Sequence, residues 1–70
     1  MANYIGKEEQ AIINKKGIVK ETMYPNKVGI VIIEGESWSA ISYDNEKIDK
    51  EEMVEVLKIE GVKVVVKKID

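Results

Sequence analysis

From residue 28 to residue 69 the chain is a series of short apolar runs, rich in valine and isoleucine, separated by turn-forming residues. The interruptions fall at residues 34–36, 44–46 and 60–61. Side chains branched at Cβ pack well on a pleated, half-buried surface, so these runs predict strands rather than helices. Runs of this length at this spacing are typical of a small all-β barrel or sandwich.

The residue types that the chain lacks narrow its chemistry. Its 70 residues are enough for one domain, and they include no Cys and no His, while all 11 basic residues are Lys. The commonest metal ligand and the usual general base are therefore missing. Without Arg there is no forked guanidinium for bidentate recognition of phosphate or guanine. We expect no catalytic residues, no metal site and no cofactor.

Two groups of polar residues lack the spacing that a metal site or a catalytic nucleophile requires. Asp44, Glu46 and Asp49 lack the spacing and central glycine of a calcium-binding loop. The serines at positions 37, 39 and 42 have no glycine-rich elbow that would expose one of them as a nucleophile. Both groups are interpreted as solvated surface residues.

The net charge of −2 is unevenly distributed along the sequence. Residues 1–33 carry +2, residues 34–55 carry −6 and residues 56–70 carry +2. Nucleic-acid binding requires a coherent basic face, which this distribution does not favour. No run reaches the about 20 apolar residues of a membrane helix, and the N-terminus lacks the features of a signal peptide. The chain as given is expected to be soluble.

Local patterns predict where the first strand and its flanking turns lie. Residues 14–17 form a turn signal, and the first strand is expected to run from about Ile18 to Met23. Its polar and apolar residues alternate poorly, so we expect a bend or a bulge within it. Pro25 has no N–H to donate to a ladder and should end this strand.

The second half of the chain gives three further local predictions. Residues 54–59 change parity partway, which indicates a second bulge or strong coiling. Glu60 and Gly61 predict a hairpin. Residues 48–52 fit either a short helical turn with Asp49 as its N-cap or a turn leading into the fourth strand.

The alternating patterns also predict the domain limits and the core. Residues 1–10 are expected to form a partly flexible N-terminal extension, and residues 11–70 a single domain. Burial of each core side chain contributes about 1.5–3 kcal/mol against the ordering cost of the chain. The predicted core consists of Val19, Ile30, Ile32, Ala40, Ile41, Val54, Val56, Val64 and Val66.

Exposed apolar and aromatic groups are the candidates for binding a partner. The candidates are Trp38, Tyr24, Tyr43 and Ile33. For Trp38, packing in the core or at its rim is the more common role of a tryptophan than contact with a partner. An alternative function is binding of single-stranded nucleic acid by the lysines of the last hairpin. Those lysines are Lys58, Lys63, Lys67 and Lys68.

The order of residues along the chain resembles the C-terminal soluble domain of NfeD-family proteins, from about residue 8 to residue 69. The matching elements are Ala11-Ile12-Ile13-Asn14-Lys15-Lys16-Gly17-Ile18-Val19, Pro25, Gly29, Gly35-Glu36, Trp38-Ser39-Ala40, Ile48-Asp49-Lys50, Val54-Glu55-Val56, Gly61 and Val64-Val65-Val66. Two positions depart from the family pattern. Gly29 follows Pro25 by four residues rather than two, and Glu51 stands where the family has glycine. Because glutamate disfavours a positive φ, a different backbone is expected at Glu51, which favours the helical turn.

The resemblance implies a five-stranded OB-fold barrel. In longer members of the family this domain ends a membrane-anchored protein, sometimes after a ClpP-class serine protease domain, and pairs with stomatin-, prohibitin- or flotillin-like membrane proteins. The resemblance therefore implies a non-catalytic interaction module in membrane-protein quality control, membrane organisation or regulation of membrane protease activity.

The same resemblance implies that the module acts at the membrane surface of a prokaryotic cell, and it leaves open on which side of the membrane. The link to the membrane is expected to be either an anchor outside this sequence or a partner protein. A regulatory domain that acts on a protease in trans is a further alternative. The oligomeric state stays open, because strand edges of a partly open barrel can pair between chains.

Overall fold

The computed structural model describes residues 12–69, which contain five strands and no helix. The strands close into a barrel in the order β1-β2-β3-β5-β4, with β4 pairing back to β1. Neighbouring strands are antiparallel except β3 and β5, which run parallel. The strands are β1 (Lys16–Glu21), β2 (Gly29–Ile33), β3 (Glu36–Ser42), β4 (Met53–Glu60) and β5 (Lys63–Lys68). This arrangement is the five-stranded OB-fold barrel that the family resemblance implied, and it is one of the two all-β forms that the residue pattern predicted.

Both predicted bulges are present and bend the strands around the barrel. In β1 the pairing to β2 shifts between Val19 and Glu21, which leaves Lys20 as the extra residue. In β4 the pairing to β5 shifts between Val56 and Lys58. An extra residue increases local twist. In β4 it also changes which side chains face inward, from Val56 before the bulge to Ile59 after it, where the sequence changes parity.

The interior of the barrel confirms most of the predicted core and corrects the face assigned to β2. The predicted residues that are buried are Val19, Ala40, Val54, Val56, Val64 and Val66, and the core adds Ile12, Met23, Val31, Ile33 and Ile48. Ile30, Ile32 and Ile41 are only half-buried, so their assignment to the core was wrong. The run from residue 28 to residue 33 is apolar on both faces, so its pattern carries no information about which face is inward.

The first strand begins earlier than predicted because Gly17 is a packing residue rather than a turn residue. It lies within β1, opposite Ile33 of β2 and Val54 of β4. A Cβ atom at this position would lie 2.6 Å from the carbonyl oxygen of Ile32. The turn instead covers residues 12–14, where the Lys15 N–H donates to the Ile12 carbonyl oxygen.

The predicted helical turn at residues 48–52 is wrong, and the alternative of a turn leading into β4 is correct. The Glu52 N–H donates to the Asp49 carbonyl oxygen, and Glu51 keeps a φ of +74°. The reason lies in β1: the Glu51 N–H donates to the Val19 carbonyl oxygen at 2.7 Å, and the Val19 N–H donates to the Glu52 carbonyl oxygen at 2.9 Å. These two bonds fix the turn in the glycine-like conformation although the residue is glutamate.

The predicted N-terminal extension, residues 1–10, lies outside the described residues. Among residues 12–69, none belongs to a helix with the length and apolar character needed to cross a bilayer. In the same range no three acidic side chains are grouped in a way that could hold a metal ion.

Candidate functional site

Two long connections of the barrel are joined to each other, and we refer to them together as the loop clasp. One runs over residues 22–28 between β1 and β2, and the other over residues 43–52 between β3 and β4. Met23 and Ile48 form both backbone hydrogen bonds of a bridge, at 2.8 and 2.9 Å, and both side chains are buried in the core. The clasp is therefore anchored in the interior of the barrel.

A pair of asparagines joins the outer parts of the clasp. The backbone N–H of Asn26 donates to Oδ1 of Asn45 at 2.7 Å, and Nδ2 of Asn45 donates to Oδ1 of Asn26 at 3.2 Å. Both residues have positive φ, +64° and +58°, which asparagine tolerates better than most residues. Pro25 precedes Asn26 in a turn closed by the Lys27 N–H and the Tyr24 carbonyl oxygen, the usual type II order of proline and then asparagine.

Tyr24 is exposed yet held in place by the clasp. Its ring is 53% exposed, and the ammonium of Lys47 lies 5.6 Å from the ring centroid, within the range of a cation–π contact. Nearby, the Lys50 N–H donates to the Thr22 hydroxyl oxygen at 3.1 Å. The contacts from the second connection restrain the first, so Tyr24 is presented to solvent on a supported backbone.

A cavity of about 250 Å³ lies where the clasp meets the end of β3 and the start of β5. Val28 and Ile41 supply its apolar walls, and Lys27 and Lys63 supply its cationic groups. Sites for whole small molecules usually measure about 300–1,000 Å³, so this cavity is suited to one side chain of a larger ligand. None of these four residues was selected from the sequence as a partner-binding residue, because the residues that form the cavity lie far apart along the chain.

The four residues selected as partner contacts are placed in different environments. Tyr43 is 61% exposed and lies in sequence between Ser42 and Asn45, which both line the cavity. Tyr24 lies two residues before Asn26, which also lines it. The structure therefore places Tyr24 and Tyr43 on segments that border the cavity.

Trp38 and Ile33 lie elsewhere. Trp38 is four residues from Ser42 along β3, about 13 Å at the rise of a strand. It is half-buried and packs against the core, and its Nε1 is buried without a hydrogen-bond partner among the described residues. Ile33 is only 1% exposed, so the expectation that it is accessible at the surface was wrong.

A second apolar surface crosses β4, β1 and β2 on the outside of the barrel. Ile18 pairs with Met53 on one side and with Ile32 on the other. Ile18 is 38% exposed and Met53 is 46% exposed. This stripe, which we refer to as the aliphatic stripe, contains no aromatic or charged side chain.

The lysines of the last hairpin alternate with carboxylates. Lys58 pairs with Glu60 at 3.1 Å, and Lys68 pairs with Glu52 at 3.0 Å. In the β4–β5 ladder Lys67 lies opposite Glu55. Interspersed carboxylates lower the positive potential that a nucleic-acid backbone requires, which leaves the nucleic-acid alternative without support from the geometry.

Comparisons with known proteins agree with the fold. The family model of the NfeD-like C-terminal, partner-binding domain matches residues 9–68. The chain is similar to the C-terminal domain of stomatin operon partner protein 1510-C from Pyrococcus horikoshii, with 32% identity over 89% of this chain and 94% of that chain and a TM-score of 0.80. No curated protein gives a significant match.

Two further solved structures extend the likeness. One is the soluble domain of a membrane protein implicated in regulation of membrane protease activity from Corynebacterium glutamicum, with 29% identity over 83% of this chain and 92% of that chain and a TM-score of 0.76. The other is the soluble domain of the NfeD protein YuaF from Bacillus subtilis, with 27% identity over 96% of this chain and 83% of that chain and a TM-score of 0.80. From the family match and the shared barrel, the chain belongs to the NfeD family as a C-terminal, partner-binding domain.

Proposed function

We propose that this chain is a non-catalytic docking module that binds a stomatin-like membrane protein through the loop clasp. The observation that carries the proposal is the pair of exposed tyrosines, Tyr24 and Tyr43, on supported backbone that borders a cavity. Tyrosine is enriched among the residues that dominate binding energy, because it gives a large contact area and a polar group. Restraint before binding lowers the entropy lost on association.

The loop clasp is a better candidate than the aliphatic stripe. The stripe offers Ile18 and Met53, which are less exposed than the two tyrosines and carry no polar group of their own to fix the orientation of a partner. The clasp combines aromatic, apolar and charged groups around one concave feature. Fold-level analogy supports the first connection of the clasp, since OB-folds commonly bind ligands on the face of strands 2 and 3 and at the loop between strands 1 and 2.

The identity of the partner is proposed from the related proteins. The similar Pyrococcus horikoshii protein is a stomatin operon partner protein, and the similar Corynebacterium glutamicum protein is a membrane protein implicated in regulation of membrane protease activity. A module bound to a stomatin-like protein would be held at the membrane surface, where it could recruit or restrain a membrane protease without any catalytic group of its own.

Calorimetric titration of the chain with a stomatin-like protein domain from the same genome tests the proposal. The double variant Tyr24→Ser/Tyr43→Ser should bind at least about 30-fold more weakly than wild type, which corresponds to about 2 kcal/mol. The matched control is Ile18→Ser/Met53→Ser, which removes two exposed apolar side chains from the aliphatic stripe.

The outcomes separate the two surfaces. Weak binding by the tyrosine variant and unchanged binding by the stripe variant support the clasp. The reverse result assigns docking to the stripe and contradicts the proposal, as does the absence of binding by wild type. Trp38 fluorescence of each variant before titration shows whether the barrel is folded.

A further inference from the structure

The polar groups that line the cavity are mostly bonded to one another. The amide of Asn45 is engaged with Asn26 in both directions. The Ser42 hydroxyl donates to Oδ1 of Asp44 at 3.1 Å and accepts from the Glu46 N–H at 3.0 Å. These bonds fix the wall and leave Nδ2 of Asn26 and the second N–H of Asn45 Nδ2 as its remaining side-chain donors.

The two lysines of the cavity differ from its other polar groups. Within residues 12–69, no carboxylate forms an ion pair with Lys27 or Lys63, whereas Lys15, Lys47, Lys58 and Lys68 each have an acidic partner. No acidic residue lines the cavity, although residues 34–55 carry a charge of −6. Two carboxylates are close in the fold, since Glu60 lies opposite Lys63 in the β4–β5 ladder and Asp44 accepts from the Ser42 hydroxyl, but Glu60 is paired with Lys58. The lining itself is cationic, and neither ammonium group is engaged by a carboxylate among residues 12–69.

The walls add an apolar requirement. Val28 is exposed at the cavity and Ile41 is half-buried beside it, so a ligand that covers both gains hydrophobic energy. The volume of about 250 Å³ admits one aliphatic side chain with its flanking groups. A ligand that satisfies the site therefore carries an aliphatic side chain with negative charge next to it.

We propose that the cavity binds an acidic peptide segment of the partner protein, with an aliphatic side chain between Val28 and Ile41 and carboxylates at Lys27 and Lys63. This inference rests on the proposed function and adds the chemistry that the partner presents. Lysine recognises a carboxylate as a point charge, without the fixed geometry of arginine, so the charge pattern of the segment sets the specificity.

Amide NMR titration at low salt tests the inference with three blocked tripeptides, Glu-Leu-Glu, Gln-Leu-Gln and Lys-Leu-Lys, and with inorganic phosphate. Glu-Leu-Glu should shift the amides of residues 26–28, 41–45 and 63, and the two other peptides should not. The variant Lys27→Gln/Lys63→Gln should lower the affinity for Glu-Leu-Glu about tenfold, a loss typical of exposed charge pairs. The control Lys16→Gln/Lys20→Gln, which removes two exposed lysines of β1 and the same net charge, should leave it unchanged.

Three results would overturn the inference: equal shifts with the glutamine peptide, equal loss in the two lysine variants, or equal shifts with phosphate, which would indicate a general anion site. The stomatin-like domain separates this failure from that of the proposed function. If the domain binds wild type and Lys27→Gln/Lys63→Gln equally, the acidic-segment inference fails and the docking function stands. If it does not bind wild type, the docking function fails whatever the peptides do.

Discussion

The two hairpins of the barrel and the loop clasp connect strands in physically different ways. The turn between β2 and β3 has two residues, Glu34 and Gly35, with φ of +48° and +84°, as in a type I′ turn. The turn between β4 and β5 has Gly61 at its first position, as in a type II′ turn. In the clasp, by contrast, the asparagine bonds join residues 19 apart and the Thr22 bond joins residues 28 apart.

This difference explains where a binding surface can form. A two-residue hairpin returns the chain to the next strand and offers few side chains to a partner, of which Val62 at the β4–β5 turn is the exposed apolar one. The clasp contains long segments whose backbones support each other, so Tyr24 and Tyr43 can remain exposed without being loose. Binding residues are often carried by connections that a rigid scaffold positions. If the clasp is part of that scaffold, substitutions at its anchoring residues will lower the stability of the whole barrel.

The largest expected effect comes from core residues under each region. Ile33 ends β2 at its hairpin and Met23 anchors the clasp, and both are buried. Ile33→Ala and Met23→Ala should each lower the free energy of unfolding by about 2–5 kcal/mol in urea denaturation. Ile32→Ala, on the outer face of β2, is the control and should cost distinctly less. If Met23→Ala lowers the free energy of unfolding by no more than Ile32→Ala does, the clasp does not contribute to the stability of the core.

Substitution of Gly29 and Gly35 should lower stability by different amounts, because Gly29 is packed against Met23 of the clasp and Gly35 is needed for the backbone conformation of its hairpin turn. A Cβ at Gly29 would collide with Cγ of Met23, so Gly29→Ala should cost about 1–3 kcal/mol of stability. Gly35 has open space around it and is needed for its φ of +84°. Gly35→Asn should therefore cost less than about 1 kcal/mol, since asparagine tolerates this conformation. Thermal unfolding of both variants checks the order, and a larger loss at Gly35 would contradict it.

The asparagine pair gives a smaller and more specific effect. Asn45→Gly keeps the positive φ and removes both hydrogen bonds to Asn26, so it should cost about 0.5–1.5 kcal/mol. A double-mutant cycle with Asn26→Gly isolates the side chain–side chain bond, because the N–H of residue 26 can still donate to Oδ1 of Asn45 in that variant. The two losses should be less than additive, by about 0.5 kcal/mol or more, because the residues are in contact. Additive losses would mean that the side chain–side chain bond does not stabilise the clasp.

The smallest predicted effect is a gain in stability at two strained glutamates, one in each region. Glu34 in the hairpin and Glu51 in the clasp both have positive φ. Glu34→Asn and Glu51→Asn should each raise the free energy of unfolding by about 0.5–1 kcal/mol, because a positive φ is less unfavourable for asparagine than for glutamate. Glu46→Asn, which removes the same charge from the same connection at a residue without positive φ, should give no gain. A gain at Glu46 equal to that at Glu51 would point to charge rather than backbone strain.

The sequence predicted the parts of the fold that depend on local patterns. The poor alternation of β1 predicted a bend or bulge within it, the parity change in β4 indicated the second bulge, and the turn residues located both hairpins. The inward face of β2 was not predictable, because Ile30, Val31, Ile32 and Ile33 are equally apolar and only pairing with β1 and β3 decides between them. The turn predicted at Gly17 and the helical turn predicted around Glu51 were wrong for the same reason. Contacts with a strand distant in sequence determine the backbone conformation at both residues.

The candidate site was predictable only in part. Tyr24 and Tyr43 were selected as exposed aromatics, and both are exposed. Lys27, Val28, Ile41 and Lys63 come together through the barrel closure and the clasp, which no local pattern reveals. The asparagines at positions 26 and 45 were a weak signal, since this residue type often marks a left-handed turn.

The most direct test of the loop clasp as the docking surface is an amide NMR map of the labelled chain with the stomatin-like domain. The account predicts that shifts concentrate at residues 24–28, 41–45 and 63, with Ile18, Ile32 and Met53 unchanged. Shifts confined to the aliphatic stripe, or the absence of shifts at saturating partner, would contradict it.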